Sequence, residues 1–148
     1  MTNEMPKPEN YTGLSRLVLQ YADNFARIIK QRKGGSLSES DWAPMEELVD
    51  IDNFQRVGIL LTDKVEVATW QQYRAQLDQF CSIASWEGTL RRITEVPGLV
   101  FLELEERITI GNVMDVYNTV TIYQFNQANK LAKLDVYAAL LGRRTLSA

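Results

Sequence analysis

The last third of the chain is a run of strand-forming segments with no helical pattern after it. Trp86–Val96, Leu99–Ile110, Tyr117–Phe125 and Leu131–Tyr137 are rich in β-branched and aromatic residues. Short breaks separate them, at Val96-Pro97-Gly98, Ile110-Gly111-Asn112 and Asn126-Gln127-Ala128-Asn129-Lys130. Every helical pattern lies earlier in the chain. Segregation of this kind predicts an α+β fold, with one curved antiparallel sheet and helices packed on a single face. A sheet bent around helices leaves an apolar hollow, and hollows bind small molecules.

The helical patterns are specific enough to place. Leu14, Leu17, Val18, Tyr21, Phe25, Ile28 and Ile29 recur at three- and four-residue spacing, which predicts one buried stripe. Thr12 is the expected N-cap, and Lys30-Gln31-Arg32-Lys33 before Gly34-Gly35 is a stop signal. Asp41 is the expected cap of a short second helix carrying Trp42, Met45, Leu48 and Val49, with Pro44 in its first turn. Phe54–Leu61 and Lys64–Val67 read as short strands. Thr69-Trp70-Gln71-Gln72 fits a capping box, in which the Thr hydroxyl and the Gln amide each satisfy a free backbone N–H. The third helix then carries Trp70, Tyr73, Leu77, Phe80 and Cys81 on one face. Residues 1–10, with Pro6 and Pro8, read as a flexible N-terminal tail, and 11–148 as one domain.

Composition narrows the function classes. A net charge of −3 and two short basic clusters, Arg27–Lys33 and Arg143-Arg144, argue against a nucleic-acid surface. Both clusters read as solvated element ends. No apolar run reaches membrane-spanning length, so no membrane partner is expected. One cysteine forbids an internal disulfide and suits a reducing, cytoplasmic setting, and its place in an apolar stripe makes Cys81 a core residue. With one Cys and no His, a metal site would have to be built from carboxylates alone. Glu103, Glu105 and Glu106 cannot all converge, because strand neighbours point to opposite faces. No metal and no cofactor are expected.

Strand parity carries the functional reading. In Leu99–Ile110 the even positions Val100, Leu102, Leu104, Glu106, Ile108 and Ile110 form the apolar set, and Glu106 is its one acid. In Tyr117–Phe125 the odd positions Tyr117, Thr119, Thr121, Tyr123 and Phe125 have the aromatic and hydroxyl character of a ligand-lining surface. The even positions Asn118, Val120, Ile122 and Gln124 suit a sheet-to-sheet contact between two copies. In Leu131–Tyr137, Leu134 and Val136 face inward, and Lys133, Asp135 and Tyr137 outward. Of the aromatics, Trp42, Phe54, Trp70, Tyr73, Tyr117 and Tyr123 are candidates for an apolar pocket wall, with ordinary core packing as the alternative.

The helix order, the turn Glu95-Val96-Pro97-Gly98, the acidic strand Leu102-Glu103-Leu104-Glu105-Glu106-Arg107 and the final pair of strands resemble the nuclear-transport-factor-two-like superfamily, nearest its SnoaL-like branch. The resemblance covers about residues 12–140 and implies a cone-shaped sheet wrapped around three N-terminal helices, with a pocket at the open end. It also implies a homodimer through the outer sheet face. Fold alone assigns no activity. Compared with ketosteroid isomerases, Tyr21 matches the tyrosine of the first helix, Thr121 falls where an acid is needed, and Val57-Gly58 falls where the base should be. Against limonene epoxide hydrolases, only Glu106 is retained among Leu104, Glu106 and Val136.

The candidate catalytic residues are therefore Glu106 and Tyr21, with Asp52 and Asp115 as the next acids. The structural alternative for Glu106 is an ion pair with Arg56, Arg91 or Arg92. The candidate ligand-binding residues are Trp42, Phe54, Arg56, Trp70, Tyr73, Tyr117, Thr119, Thr121 and Tyr123. The expected function is a pocket for a small apolar, ring-containing ligand, with isomerase, cyclase or lyase-type proton transfer as the chemistry. The competing classes are a hydrolase with a divergent site and a non-catalytic assembly module using the outer sheet face.

Overall fold

A computed structural model describes residues 4–147. Of three helices, α1 (Gly13–Lys33), α2 (Glu39–Glu46) and α3 (Trp70–Ile83), the last two are separated by two short strands, β1 (Gln55–Gly58) and β2 (Glu66–Ala68). Four long strands follow: β3 (Ala84–Val96), β4 (Leu99–Ile110), β5 (Val113–Phe125) and β6 (Leu131–Thr145). The fold is α+β, with one six-stranded sheet in the order β2-β1-β6-β5-β4-β3. The sheet is mixed, not wholly antiparallel, because β1 pairs with β6 in parallel. The hairpin with β5 fixes the direction of β6, and β1 arrives from the far edge of the sheet running the same way. Register shifts at Leu90/Arg92, Val116/Tyr117 and Gln124/Phe125 are β-bulges, which bend and twist the strands that carry them.

The strands run longer than their apolar cores suggested. β5 begins at Val113 and β6 reaches Thr145. Charged cross-strand pairs extend them, with Asp115 opposite Arg143 and its carboxylate 2.6 Å from the Arg143 guanidinium. The expected flexible tail, residues 1–10, lies partly outside the described residues. The Glu4 amide donates to the Gly88 carbonyl at 2.8 Å, and Pro8–Asn10 form a short 3-10 turn. Met5 packs on the apolar core.

Helix entry is fixed by side chains at each N-terminus. Thr12 stands at the α1 cap as expected, yet its side chain makes no capping bond. The Glu95 carboxylate from β3 takes that role, accepting from the Ser15 amide at 2.8 Å and the Ser15 hydroxyl at 2.7 Å. Those bonds, with the hydroxyl first, hold the Glu95 carboxyl below its ordinary range. Gly13 is required there. Its φ is +62°, and a Cβ would stand 2.9 Å from Glu95 Oε2. Ser38, not Asp41, caps α2. Asp41 is the acid that reaches back, accepting from the Ser38 amide at 2.8 Å. Pro44 accordingly lies beyond the first turn. α3 opens on the expected box, with the Gln72 amide donating to Thr69 Oγ1 and the Thr69 amide to Gln72 Oε1.

The core lies between the concave sheet face and the helices. Val18, Ile28, Trp70, Leu77, Val100, Leu102 and Leu134 are among its buried members. Cys81 is buried there as a free thiol that burial pushes up to about 12, so it stays protonated and unreactive.

Candidate functional site

Alternation along β4, β5 and β6 sets the walls of a cavity of about 150 Å³ between the sheet and the helices. From β4 come Leu102, Leu104, Glu106 and Ile108; from β5, Tyr117, Thr119, Thr121 and Tyr123; from β6, Leu134, Val136 and Ala138. Register aligns these in rows: Glu106 beside Tyr117, Leu104 beside Thr119, and Leu102 beside Thr121. The helices close the other side with Tyr21, Phe25, Tyr73 and Phe80. The volume matches a cavity able to hold a single benzene-sized ring.

Glu106 forms no ion pair with Arg56, Arg91 or Arg92. Arg91 pairs with Glu105 and Arg92 with Glu103, both on the opposite face of the sheet. Glu106 Oε1 instead accepts from Trp86 Nε1 at 2.6 Å. Trp86 is held in place from three directions. Its ring meets Phe25 edge to face at 5.2 Å. Its strand pairs with β4, and Gly88, directly opposite Glu106, leaves the space that the indole fills. A Cβ on Gly88 would stand 2.8 Å from the indole carbons. The indole bond orients the carboxylate and leaves its second oxygen without a partner among the described residues.

Among the described residues, two hydroxyls on the wall are buried with no partner at hydrogen-bond geometry, Tyr21 Oη and Thr119 Oγ1. Tyr21 meets Tyr123 edge to face at 5.9 Å, and Tyr73 acts on it through space without reaching hydrogen-bond geometry. Burial, then the neighbouring Tyr73 and Tyr123, raise the Tyr21 pKa well above its ordinary value. Burial likewise raises Tyr73 and Tyr123. All three are neutral near neutral pH, so they can donate hydrogen bonds but cannot serve as bases. An unsatisfied buried hydroxyl costs about 1–3 kcal/mol, and a ligand oxygen or nitrogen would remove that cost.

Of the residues expected at a site, Glu106, Tyr21, Arg56, Tyr73, Tyr117, Thr119, Thr121 and Tyr123 lie on this cavity. Trp42, Phe54 and Trp70 do not. They lie in the packed core. Trp42 is covered by the Arg74 guanidinium at 4.9 Å, because α2 turns this face toward α3. Trp70 donates to Glu46 Oε2 at 2.7 Å, and Phe54 stacks on Tyr73 at 6.1 Å, behind the wall. Asp52 is exposed in a turn, and Asp115 is engaged by Arg143. Trp86, Phe25 and Phe80 are aromatic contributors not among those expected from the sequence. The signal was present in Trp86-Glu87-Gly88, where a large residue precedes a glycine on the same strand face. Among the described residues no cluster of carboxylates and thiol could hold a metal ion, and no helix is long and apolar enough to cross a membrane.

The architecture has many solved counterparts. An NTF2-like protein of unknown function from Burkholderia pseudomallei matches with a TM-score of 0.66 at 8% identity, covering 87% of this chain and 92% of that one. A candidate SnoaL-like polyketide cyclase from Shewanella denitrificans matches with a TM-score of 0.64 at 11% identity, covering 85% and 90%. An epoxide hydrolase of the limonene-epoxide-hydrolase-like type from M. tuberculosis matches with a TM-score of 0.53 at 12% identity, covering 79% and 84%. No family model matches the sequence, and no curated protein matches it.

Proposed function

On this NTF2-like fold, with SnoaL-like proteins among its structural neighbours, we propose a protein that binds one small ring-containing molecule in the cavity and moves a proton at Glu106. One observation carries the reading. In a largely apolar wall, a carboxylate held by a single indole bond and two buried hydroxyls without partners face the same 150 Å³ space. A molecule filling that space would satisfy them. Tyr21 and Thr119 would donate to a ligand acceptor, and Glu106 would take or give a proton at the far end of the ring. Isomerisation, cyclisation and dehydration each need such a group, and its contribution is typically about 10²–10⁴-fold. The candidate polyketide cyclase and the epoxide hydrolase among the structural neighbours support small-molecule chemistry on this architecture.

The test begins with binding. Toluene, phenol and naphthalene are titrated by ligand-observed NMR against the protein and its Thr119→Phe variant. Saturable binding of the single-ring probes, lost in the variant, is expected. Absence of saturable binding by every probe overturns the reading. Once a substrate is found, Glu106→Gln should abolish turnover while leaving the fold intact.

A second copy is proposed for the outer face. Val120 and Ile122 are only partly covered there, and Tyr137, opposite Val120, is 60% exposed. Light scattering tests this. A dimer that Val120→Glu dissociates is expected, and a monomer at high concentration overturns it.

A further inference from the structure

We propose that the cavity takes a carboxylate, which Arg56 anchors. The proposal rests on the small-molecule reading of the cavity and names the chemical class it selects. Arg56 comes from β1, is 7% exposed and lines the cavity. Its guanidinium carries five donors, yet among the described residues it makes one hydrogen bond, from one terminal nitrogen to the Ile59 carbonyl at 3.0 Å. Its Cζ lies over the Tyr73 ring, 5.0 Å from the centroid. No carboxylate comes within ion-pair distance of it among the described residues, although the other arginine buried to this degree, Arg107, pairs with Glu105. A permanent charge this deeply buried is costly without a counter-ion.

The surroundings hold Arg56 in place for a ligand. Tyr73, under the guanidinium, is backed by Phe54 at 6.1 Å and Trp70 at 5.9 Å. These rings restrict the fork before any anion arrives, which lowers the ordering cost of binding. A planar carboxylate can accept two parallel N–H bonds from such a fork. The apolar remainder of the wall favours a monoanion over a phosphate dianion, whose desolvation costs more.

Glu106 does not compete for this place. Register puts Arg56 in the row of Leu134, Tyr123 and Val100, and Glu106 in the row of Tyr117. Those rows are six residues apart on β5, and both side chains line the one cavity. The anion is therefore anchored at one end, and the carboxylate that moves the proton stands at the other. Binding energy collected at the anchor is then available to hold the reacting end.

The test compares benzoate with its neutral isostere benzamide, with toluene as the probe of the cavity alone, by calorimetry at low salt. The native protein should bind benzoate at least tenfold more tightly than benzamide. Arg56→Met should erase that preference while toluene binding persists, and Arg56→Lys should restore part of it. Equal or weaker binding of benzoate, with toluene still bound, overturns the anion anchor and leaves the cavity reading standing. Failure of all three probes to bind the native protein overturns both. The native comparison alone decides the matter if Arg56→Met does not fold.

Discussion

Glu105 and Glu106 are neighbours on β4 and face opposite sides of one sheet. On the convex side, Glu105 pairs with Arg91 and Arg107, Glu103 with Arg92, and Arg107 also donates to Thr89 Oγ1 at 3.0 Å. On the concave side, among the described residues, Glu106 has one indole bond, Arg56 has no carboxylate, and the hydroxyls of Tyr21 and Thr119 are unmatched. The same strand thus carries a face whose acids are ion-paired within the protein and a face whose acid is not, although Glu87 Oε2 and Asn118 Oδ1 on the convex side also lack hydrogen-bond partners among the described residues. A buried polar group is stable only when satisfied, so the second face describes half of a binding equilibrium. The difference separates charge used for folding from charge available for function.

The largest expected effect breaks the convex side. Arg107 is 2% exposed and bridges β4 to β3. Arg107→Ala should cost roughly 3 kcal/mol of stability, because it removes a buried charged partner and its packing. Urea denaturation measures this. A loss below about 1 kcal/mol would show that the paired face contributes little.

Next comes the seam between the faces. Gly88→Ala places a methyl group 2.8 Å from the Trp86 ring and should cost about 1–3 kcal/mol. The indole would be displaced from Glu106, so Trp fluorescence should change together with ligand affinity. An unchanged spectrum would show that Trp86 tolerates the methyl group and that Gly88 is not what places it.

Much of this contrast was legible in the strands. A period of two placed Glu106 with Leu102 and Leu104, and Tyr117, Thr119, Thr121 and Tyr123 on one face, because side chains must alternate. Parity could not show which partners a charge would find. Arg91 sits at a bulge, which alters the local register, and Arg107 is buried on the face that alternation marks as the outer one. Trp42 and Trp70, on α2 and α3, lie in the core and not on the cavity for a related reason. An aromatic stripe on a helix looks the same whether it faces a cavity or another helix, and only the packing of α2 on α3 decides. The parallel β1–β6 pair was hidden because short strands carry no directional signal.

A smaller effect concerns helix entry. Glu95→Gln should cost about 0.5–1 kcal/mol at neutral pH, at the low end of capping effects because Glu95 is exposed to solvent. Its folded pKa is depressed, so its contribution is present above the ordinary carboxyl value of 4.5 and is lost as pH falls through the lower folded value. The difference in melting temperature between native protein and variant should therefore shrink below pH 4.5. A difference that holds constant into acid would assign the effect to something other than the charge.

The smallest effect belongs to Glu106→Gln, and it sharpens the comparison most. A glutamine oxygen can still accept from the Trp86 indole, and no cation is left unpaired, because Glu106 pairs with none. Stability should change by less than about 0.5 kcal/mol, the usual range for a substitution that disturbs no paired network. Arg107, one residue away and facing outward, should show several times that loss. A stability loss of about 2 kcal/mol or more for Glu106→Gln would mean that the carboxylate serves the fold. A negligible loss, with ligand affinity or turnover removed, would place its free energy in what the cavity binds.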